Sequence, residues 1–143
     1  MLPPIETIIE NFAFIDDAMD RYEYVIELGK ALPPLPEALH SETNRVHGCE
    51  SQVWLDVSLD RAGAGPQLAL QGDSDSQIVK GFVALMVALY RGKSPEQAVT
   101  TDGFDLLKQL DFGAHITSKR SNGVRSMVER IQRDARRFAA EAA

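Results

Sequence analysis

The chain contains one cysteine, and the residues around it are the ones best suited to chemistry. Cys49 follows Gly48, and the polar residues His47, Glu50 and Ser51 flank this pair. A glycine beside a thiol removes a side chain and leaves room for another reactive centre to approach. Free cysteines are, however, commonly small buried hydrophobes. The residues alone therefore leave two interpretations open: an accessible, reactive thiol or a packed one.

His47 lies two residues before the thiol, where an imidazole lowers a thiol pKa or carries a proton. In an extended segment the two side chains share a face. An exposed loop histidine is the alternative, and we favour it slightly. A cysteine hydrolase would also need an orienting group and an oxyanion hole, and the sequence identifies neither. His40 and His115 show no recognisable spacing, and there is no phosphate-binding loop or metal-ligand cluster.

Length and composition indicate one domain with a sizeable core, since the chain has 143 residues of which 44% are hydrophobic. No apolar run approaches the roughly 18 residues that a membrane span needs. The first residues lack the pattern of a secretory signal. A lone cysteine forms no internal disulfide, which fits a reducing cytosol. We therefore expect a cytoplasmic protein that does not associate with membranes.

The net charge of −6 argues against nucleic acid as a partner. The charge is uneven, because the segment from Thr117 to the C-terminus holds seven Lys/Arg and three Asp/Glu. A basic tail on an acidic body suits docking to a charged protein surface. A solvated helix face is the simpler interpretation, and we favour it.

Periodicity predicts helices at both ends of the chain. Apolar residues at helical spacing predict a first helix over Ile5–Phe12. Asp16 or Asp17 is the expected N-cap of a second helix, which Gly29 is placed to end ahead of several prolines. Helices are also predicted from Pro95, around Phe104–Leu110, and after a polar entry at 116–123, with the arginines of the last helix largely off its apolar stripe.

Alternating apolar and polar residues predict strands at 53–59 and 68–70, paired antiparallel, with a short third strand possible at 44–47. Ser74 and Gln77 match a capping box for the apolar helix that follows. Asp73 and Asp75 are expected near the positive end of that helix dipole. Gly81 within this helix predicts that another backbone approaches closely, such as the sheet or the cysteine loop.

Three stretches resemble the SufE family, the sulfur-acceptor proteins of iron–sulfur cluster assembly, in order and in spacing. The resemblance extends over nearly the whole chain, and three motifs in register are highly specific. They are Gly48–Trp54, Gly72–Asp75 running into Ile78–Gly81, and Arg120–Gly123, with shorter matches at Tyr24–Gly29 and Leu32–Pro33.

The resemblance implies an α+β fold, in which a small antiparallel sheet of two to three strands is packed by several helices, as in IscU-type scaffolds. It implies that Cys49 accepts a persulfide sulfur from a SufS-type cysteine desulfurase and stimulates that enzyme. It further implies delivery of sulfur to a SufBCD-type scaffold. Pyridoxal phosphate would belong to the desulfurase, and we expect no cofactor or metal on this chain.

The resemblance also suggests residues that control the cysteine loop or contact the desulfurase. Asp75 and Arg120 are the main candidates, joined by Gly48, His47 and Ser51. Helix-terminal charge and a surface salt bridge are the alternative roles for Asp75 and Arg120. Lys119 stands where the family usually has serine, which makes the docking contact of Arg120 less certain.

Several rivals share these features. A CsdE-type acceptor would work with a CsdA-type desulfurase, although residues 50–54 match the SufE pattern more closely. A non-catalytic activator would bind the desulfurase without carrying sulfur. A cluster scaffold needs several thiolates, whereas this chain has one. We therefore expect an accessory sulfur-transfer protein rather than a stand-alone enzyme, as a monomer or homodimer.

Overall fold

Two antiparallel strands form the sheet in the computed structural model, which describes residues 2–110 and 118–142. Strand β1 (Val53–Asp60) pairs with β2 (Gln67–Ser74), so that Val53 lies opposite Ser74. The buried side chains of β1 alternate along the strand, as the sequence predicts. The expected third strand is reduced to a single antiparallel bridge between Arg45 and Trp54. The α+β prediction is confirmed.

Six helices accompany the sheet within the described residues. Helix α3 has the most buried residues of the helices before residue 111, and it packs against both α2 and β2. The helices are α1 (Ile5–Ala13), α2 (Ala18–Lys30), α3 (Gln77–Tyr90), α4 (Pro95–Val99), α5 (Gly103–Gln109) and α6 (Ser118–Ala142), with a short 3-10 turn at Glu37–Leu39.

The prediction that Gly29 ends α2 is wrong, because the helix continues through Lys30. Asp17 is the N-cap, and its side chain accepts a hydrogen bond from the Met19 amide. Gly29 is instead a packing residue: a Cβ there would lie 2.8 Å from the backbone nitrogen of Gly81. The backbone that approaches Gly81 is therefore that of α2, and not the sheet or the cysteine loop.

The start of α3 also differs from the prediction. Strand β2 extends through Ser74, so Ser74 cannot cap the helix. Ser76 is the N-cap, and its hydroxyl accepts a hydrogen bond from the Val79 amide. The Ser74 hydroxyl accepts one from the Ser76 amide at 3.2 Å and so shapes the turn between strand and helix.

The C-terminal helices follow the sequence closely. Ser94 and Gln97 form a capping box at α4, with Pro95 at its start. Helix α6 buries Val124, Met127 and Ile131 against the core. Arg120–Gly123 lie in its first turns, whereas residues 111–117, which include part of the predicted polar entry and His115, lie outside the described residues.

Candidate functional site

The cysteine lies on a loop closed by strand-like hydrogen bonds. The Val46 amide donates to the Val53 carbonyl at 2.8 Å, and the Leu55 amide donates to the Asn44 carbonyl at 2.9 Å. Residues 47–52 between these partners form the cysteine loop. The local fold thus holds Cys49 away from the sheet while both ends of the loop are tied to β1.

Gly48 adopts a conformation that favours glycine, with φ of +93°. A Cβ at this position would lie 2.5 Å from the hydroxyl oxygen of Ser126 on α6. Both the backbone angle and the close approach therefore require glycine. Gly48 brings the cysteine loop against α6.

The sulfur of Cys49 lies at a small cavity next to α6. The thiol donates to the carbonyl oxygen of Gly123 at 3.5 Å, and a Cβ on Gly123 would lie 3.4 Å from the sulfur. The cavity has a volume of about 70 Å³. Its wall is apolar on the inner side and polar at the mouth, and it comprises Val79, Phe82, Val124 and Met127 with Glu50, Ser51, Ser76 and Arg120.

Two opposing effects set the acidity of the Cys49 thiol. Partial burial raises its pKa, and the positive charge of Arg45 partly offsets this. The Arg45 guanidinium lies 5.9 Å from the centre of the Trp54 ring. Its Nε is buried and has no hydrogen-bond partner among the described residues. Burial in this conformation therefore disfavours the thiolate, which is the reactive form of the side chain.

Asp75 holds the far end of the cysteine loop. Its carboxylate accepts a hydrogen bond from the Gln52 amide at 3.0 Å. Its own amide donates to the Gln52 carbonyl at 3.3 Å. Asp75 is exposed and lies between β2 and α3, so it connects the loop to the start of the helix that lines the sulfur cavity.

The other candidate residues occupy different places. Ser51 and Arg120 line the sulfur cavity together with Cys49. The His47 ring nitrogen instead lies 2.7 Å from a carboxylate oxygen of Glu42, with the histidine side chain 70% exposed. The contact between His47 and Cys49 that an extended segment would allow does not form, because Gly48 turns the chain between them.

Sequence reasoning missed several residues of the site. Arg45 and Gln52 lie in the same segment as Cys49, but no sequence pattern predicts their contacts with the cysteine loop. Gly123 and Met127 come from α6, far along the chain. His40 also has a structural role, since it lies 2.8 Å from Asp73 and packs edge-on against Trp54 with ring centres 4.7 Å apart. The Asp73 carboxylate also lies 3.3 Å from the ammonium group of Lys80 in the first turn of α3.

The described parts of the chain contain neither a cluster of metal-binding side chains nor a membrane-spanning helix. Among residues 2–110 and 118–142, no three His, Cys, Asp or Glu side chains are grouped so as to hold a metal ion. None of the helices in the same ranges is both long enough and apolar enough to cross a membrane.

The fold and the site together define a small α+β domain that presents one sheltered thiol on a loop. Residues 6–135 match the model of the SufE family, described as an Fe-S metabolism associated domain. The chain therefore belongs to the SufE family. Membership supports a sulfur-acceptor role with a cysteine desulfurase as the partner.

Individual relatives agree with this assignment. The chain is 44% identical to an uncharacterized SufE-like protein of Rhizobium etli over 92% of this chain and 89% of the relative. It is 42% identical to an uncharacterized SufE-like protein of Rhizobium meliloti over 92% of this chain and 94% of the relative. A solution structure of a hypothetical protein from Thermus thermophilus shares the fold, with a TM-score of 0.76 at 22% identity over 98% of this chain and 99% of that one.

Proposed function

We propose that this protein accepts sulfur as a persulfide on Cys49 from a SufS-type cysteine desulfurase, stimulates that enzyme, and passes the sulfur to a SufBCD-type scaffold. The observation that carries the proposal is the placement of the only cysteine, half-buried at an apolar cavity with a polar mouth. Such a cavity suits a reactive sulfur that must be protected between two transfers. The absence of a second cysteine in the chain agrees with a carrier rather than a cluster scaffold.

The transfer itself needs only the thiol. The Cys49 thiolate attacks the terminal sulfur of the donor's cysteine persulfide. A new S–S bond forms at Cys49 while the donor's S–S bond breaks, and the donor cysteine leaves as a thiolate. The oxidation level of the transferred sulfur is conserved, so no external oxidant or reductant enters this step. The attacking form is the thiolate, which burial disfavours in the sheltered loop.

The sheltered thiol implies a movement before transfer. Cys49 must leave the cavity beside Gly123, or the cavity must open, for a partner's persulfide to reach the sulfur. Gly48 and Asp75 are the residues that anchor the loop on its two sides. We infer that binding of the desulfurase displaces these contacts, that Ser51 and Arg120 meet the partner at the mouth of the cavity, and that exposed His47 meets it at the entry to the loop.

Sulfur loading tests the proposal. The reduced protein is incubated with a SufS-type desulfurase and L-cysteine, weighed intact, and digested to map the modified peptide. We expect one or more added sulfur atoms on Cys49, removable by a reductant, and none on the Cys49→Ser variant. Without desulfurase the mass should not change.

The same experiment separates the alternatives. No added sulfur, with desulfurase turnover still stimulated equally by the wild type and by Cys49→Ser, would indicate a non-catalytic activator. Sulfur loading with a CsdA-type enzyme but not with a SufS-type enzyme would assign the chain to the CsdE-type acceptors. The absence of both loading and stimulation with either enzyme would reject the proposal.

A further inference from the structure

A groove runs along α6 beside the cysteine loop, and it shares no lining residue with the sulfur cavity. It consists of two adjoining hollows, of about 310 Å³ and about 410 Å³, that share Arg130 and Arg133. The first hollow begins at Arg45 and His47, at the entry to the cysteine loop. The second extends past Asn44 to Arg137. We call the surface lined by Arg45, Arg130, Arg133 and Arg137 the arginine groove.

The groove has a buried ion pair at its base and exposed arginines at its rim. Arg130 is 10% exposed, and its Nε donates at 2.9 Å to Asp134, which is itself 6% exposed. Arg133 and Arg137 approach the other oxygen of the same carboxylate at only 3.4 and 3.6 Å. One buried carboxylate is therefore shared by three guanidinium groups, of which two remain 66% and 58% exposed.

The charge of the groove contrasts with the rest of the molecule. Glu129 and Asp56 also line it, so four guanidinium groups face three carboxylates, one of them the buried Asp134. The chain as a whole carries −6. A positive surface on a negative body attracts an acidic segment to this groove, because the rest of the body repels that segment. Arginine also suits carboxylates geometrically, since its planar fork binds both oxygens.

The position of the groove links it to the reactive loop. Ser126, which the Gly48 backbone approaches closely, lies in the lining of the first hollow beside His47. An occupant of this hollow therefore lies against the entry to the loop, while the sulfur faces the other cavity. A partner bound here is held beside the cysteine loop and does not occupy the sulfur cavity, with which the groove shares no lining residue.

We propose that the arginine groove binds an extended acidic segment of the cysteine desulfurase. This inference rests on the proposed function, because the desulfurase is the partner that must bring its persulfide to Cys49. Electrostatic attraction at the groove raises the rate and affinity of docking. The chemistry at Cys49 then proceeds independently of the two exposed groove arginines, Arg133 and Arg137.

Two double variants with the same change of net charge test this role. Arg133→Gln with Arg137→Gln removes the exposed charges of the groove. Arg125→Gln with Arg136→Gln removes two exposed charges from α6 outside the groove, where Arg125 stacks on Phe104 at 4.7 Å. The affinity of each for a SufS-type desulfurase is measured by titration at several salt concentrations, alongside sulfur loading of Cys49 at saturating protein.

We expect the groove variant to bind the desulfurase at least about tenfold more weakly, which corresponds to about 1.4 kcal/mol. Its affinity should also depend less on salt than that of the wild type. The control variant should stay within about twofold of the wild type, and all three should load Cys49 fully at saturation. Poly-glutamate should compete with the desulfurase for the wild type and not for the groove variant.

Other outcomes overturn the inference in recognisable ways. Equal weakening in both double variants would mean that overall charge matters and the groove does not. Normal desulfurase binding with impaired transfer from loaded Cys49 to the scaffold would assign the groove to the sulfur recipient. If the groove variant loads normally and neither desulfurase binding nor transfer to the scaffold changes, the role of the groove is rejected and the proposed function stands. If the wild type does not load, the proposed function is rejected as well.

Discussion

Gln52 and Asp75 bind each other twice: the Gln52 amide donates to the Asp75 carboxylate at 3.0 Å, and the Asp75 amide donates to the Gln52 carbonyl at 3.3 Å. The first bond depends on a side chain, and the second is backbone alone. Substitution at position 75 therefore removes one bond and leaves the other available. This asymmetry allows the contribution of the carboxylate to be measured without removing the junction between β2 and α3.

Asp75→Ala is expected to loosen the cysteine loop. Loss of a hydrogen bond worth about 1 kcal/mol should raise amide hydrogen exchange at Gln52 about fivefold. Cys49 should also react faster with iodoacetamide, because the loop leaves the cavity more often. Asp60→Ala is the matched control, since Asp60 accepts a similar bond from the Ala62 amide at 2.9 Å in the distant β1–β2 turn. Equal alkylation of wild type and Asp75→Ala would show that the carboxylate does not hold the loop.

Gly48→Ala is expected to destabilise the protein for two separable reasons. The left-handed φ alone costs a residue with a Cβ about 1–2 kcal/mol, and the Cβ would also meet the Ser126 hydroxyl at 2.5 Å. Gly92→Ala measures the first cost alone, because Gly92 has φ of +79° and nothing within 4 Å of its Cβ position. Chemical denaturation should give a larger loss for Gly48→Ala than for Gly92→Ala.

Removal of the Ser126 hydroxyl should account for that difference. In a Ser126→Ala background the nearest remaining atom is the Cβ of residue 126, at an ordinary 3.5 Å. Gly48→Ala should then cost about as much as Gly92→Ala. An unchanged excess in this background would mean that contact with α6 does not explain why glycine is needed before the cysteine.

The pH dependence of Cys49 alkylation should reveal the effect of the Arg45 charge on the pKa of the thiol. Burial raises the pKa of the thiol and Arg45 lowers it, so loss of the Arg45 charge should raise the pKa further. Arg45→Gln should therefore be alkylated more slowly at neutral pH and shift the midpoint of the pH–rate profile upwards. At pH well above both midpoints the rates should converge, because both thiols are then ionised.

Arg45→Lys should restore part of the shift, since it keeps the charge without the planar group that lies near Trp54. Arg61→Gln, an exposed change beyond the end of β1, is the control for net charge. Charged iodoacetate adds a second readout, because a nearby cation accelerates it relative to neutral iodoacetamide. If Arg45→Gln and the wild type have the same pH–rate profile, the charge of Arg45 does not influence the pKa of Cys49.

Much of the fold was predictable because its signals are local. The alternation at 53–59 and the helical spacing around Phe12 need only neighbouring residues to be read. The wrong prediction of Ser74 as the cap shows the limit of local signals. Strand β2 continues four residues beyond the predicted end at Leu70, which leaves Ser76 to cap α3. A serine and a glutamine at the right spacing cannot show which serine is still in the strand.

The candidate site was only partly predictable, since its walls come from distant parts of the chain. The lone thiol and its glycine stand together in the sequence and make Cys49 a candidate, whereas its role as a sulfur acceptor follows from the resemblance to the SufE family. Its contact with Gly123 joins residues 74 positions apart, and no periodicity reports such a contact. His47 illustrates the converse, because closeness in sequence suggested a contact with Cys49 that the turn at Gly48 prevents.

Gly81→Ala is expected to destabilise the protein although alanine is the better helix former. A Cβ at Gly81 would overlap both the side chain and the carbonyl oxygen of Val25 on α2. Overpacking of this kind costs about 1–3 kcal/mol, and alanine recovers about 1 kcal/mol of helix propensity at most. We expect a net loss of about 1 kcal/mol in the free energy of unfolding, measured by chemical denaturation.

A second variant separates the two parts of this contact. Val25→Ala removes the overlapping methyl group but leaves the carbonyl oxygen in place, so Gly81→Ala should remain destabilising in that background. Gly63→Ala, where nothing lies within 4 Å of the Cβ position, should change stability by less than about 0.5 kcal/mol. Because α3 lines the sulfur cavity through Val79 and Phe82, Gly81→Ala should also alter the alkylation rate of Cys49. A stability equal to or above that of the wild type would show that α2 and α3 separate at little cost, and that this crossing does not fix the cavity wall.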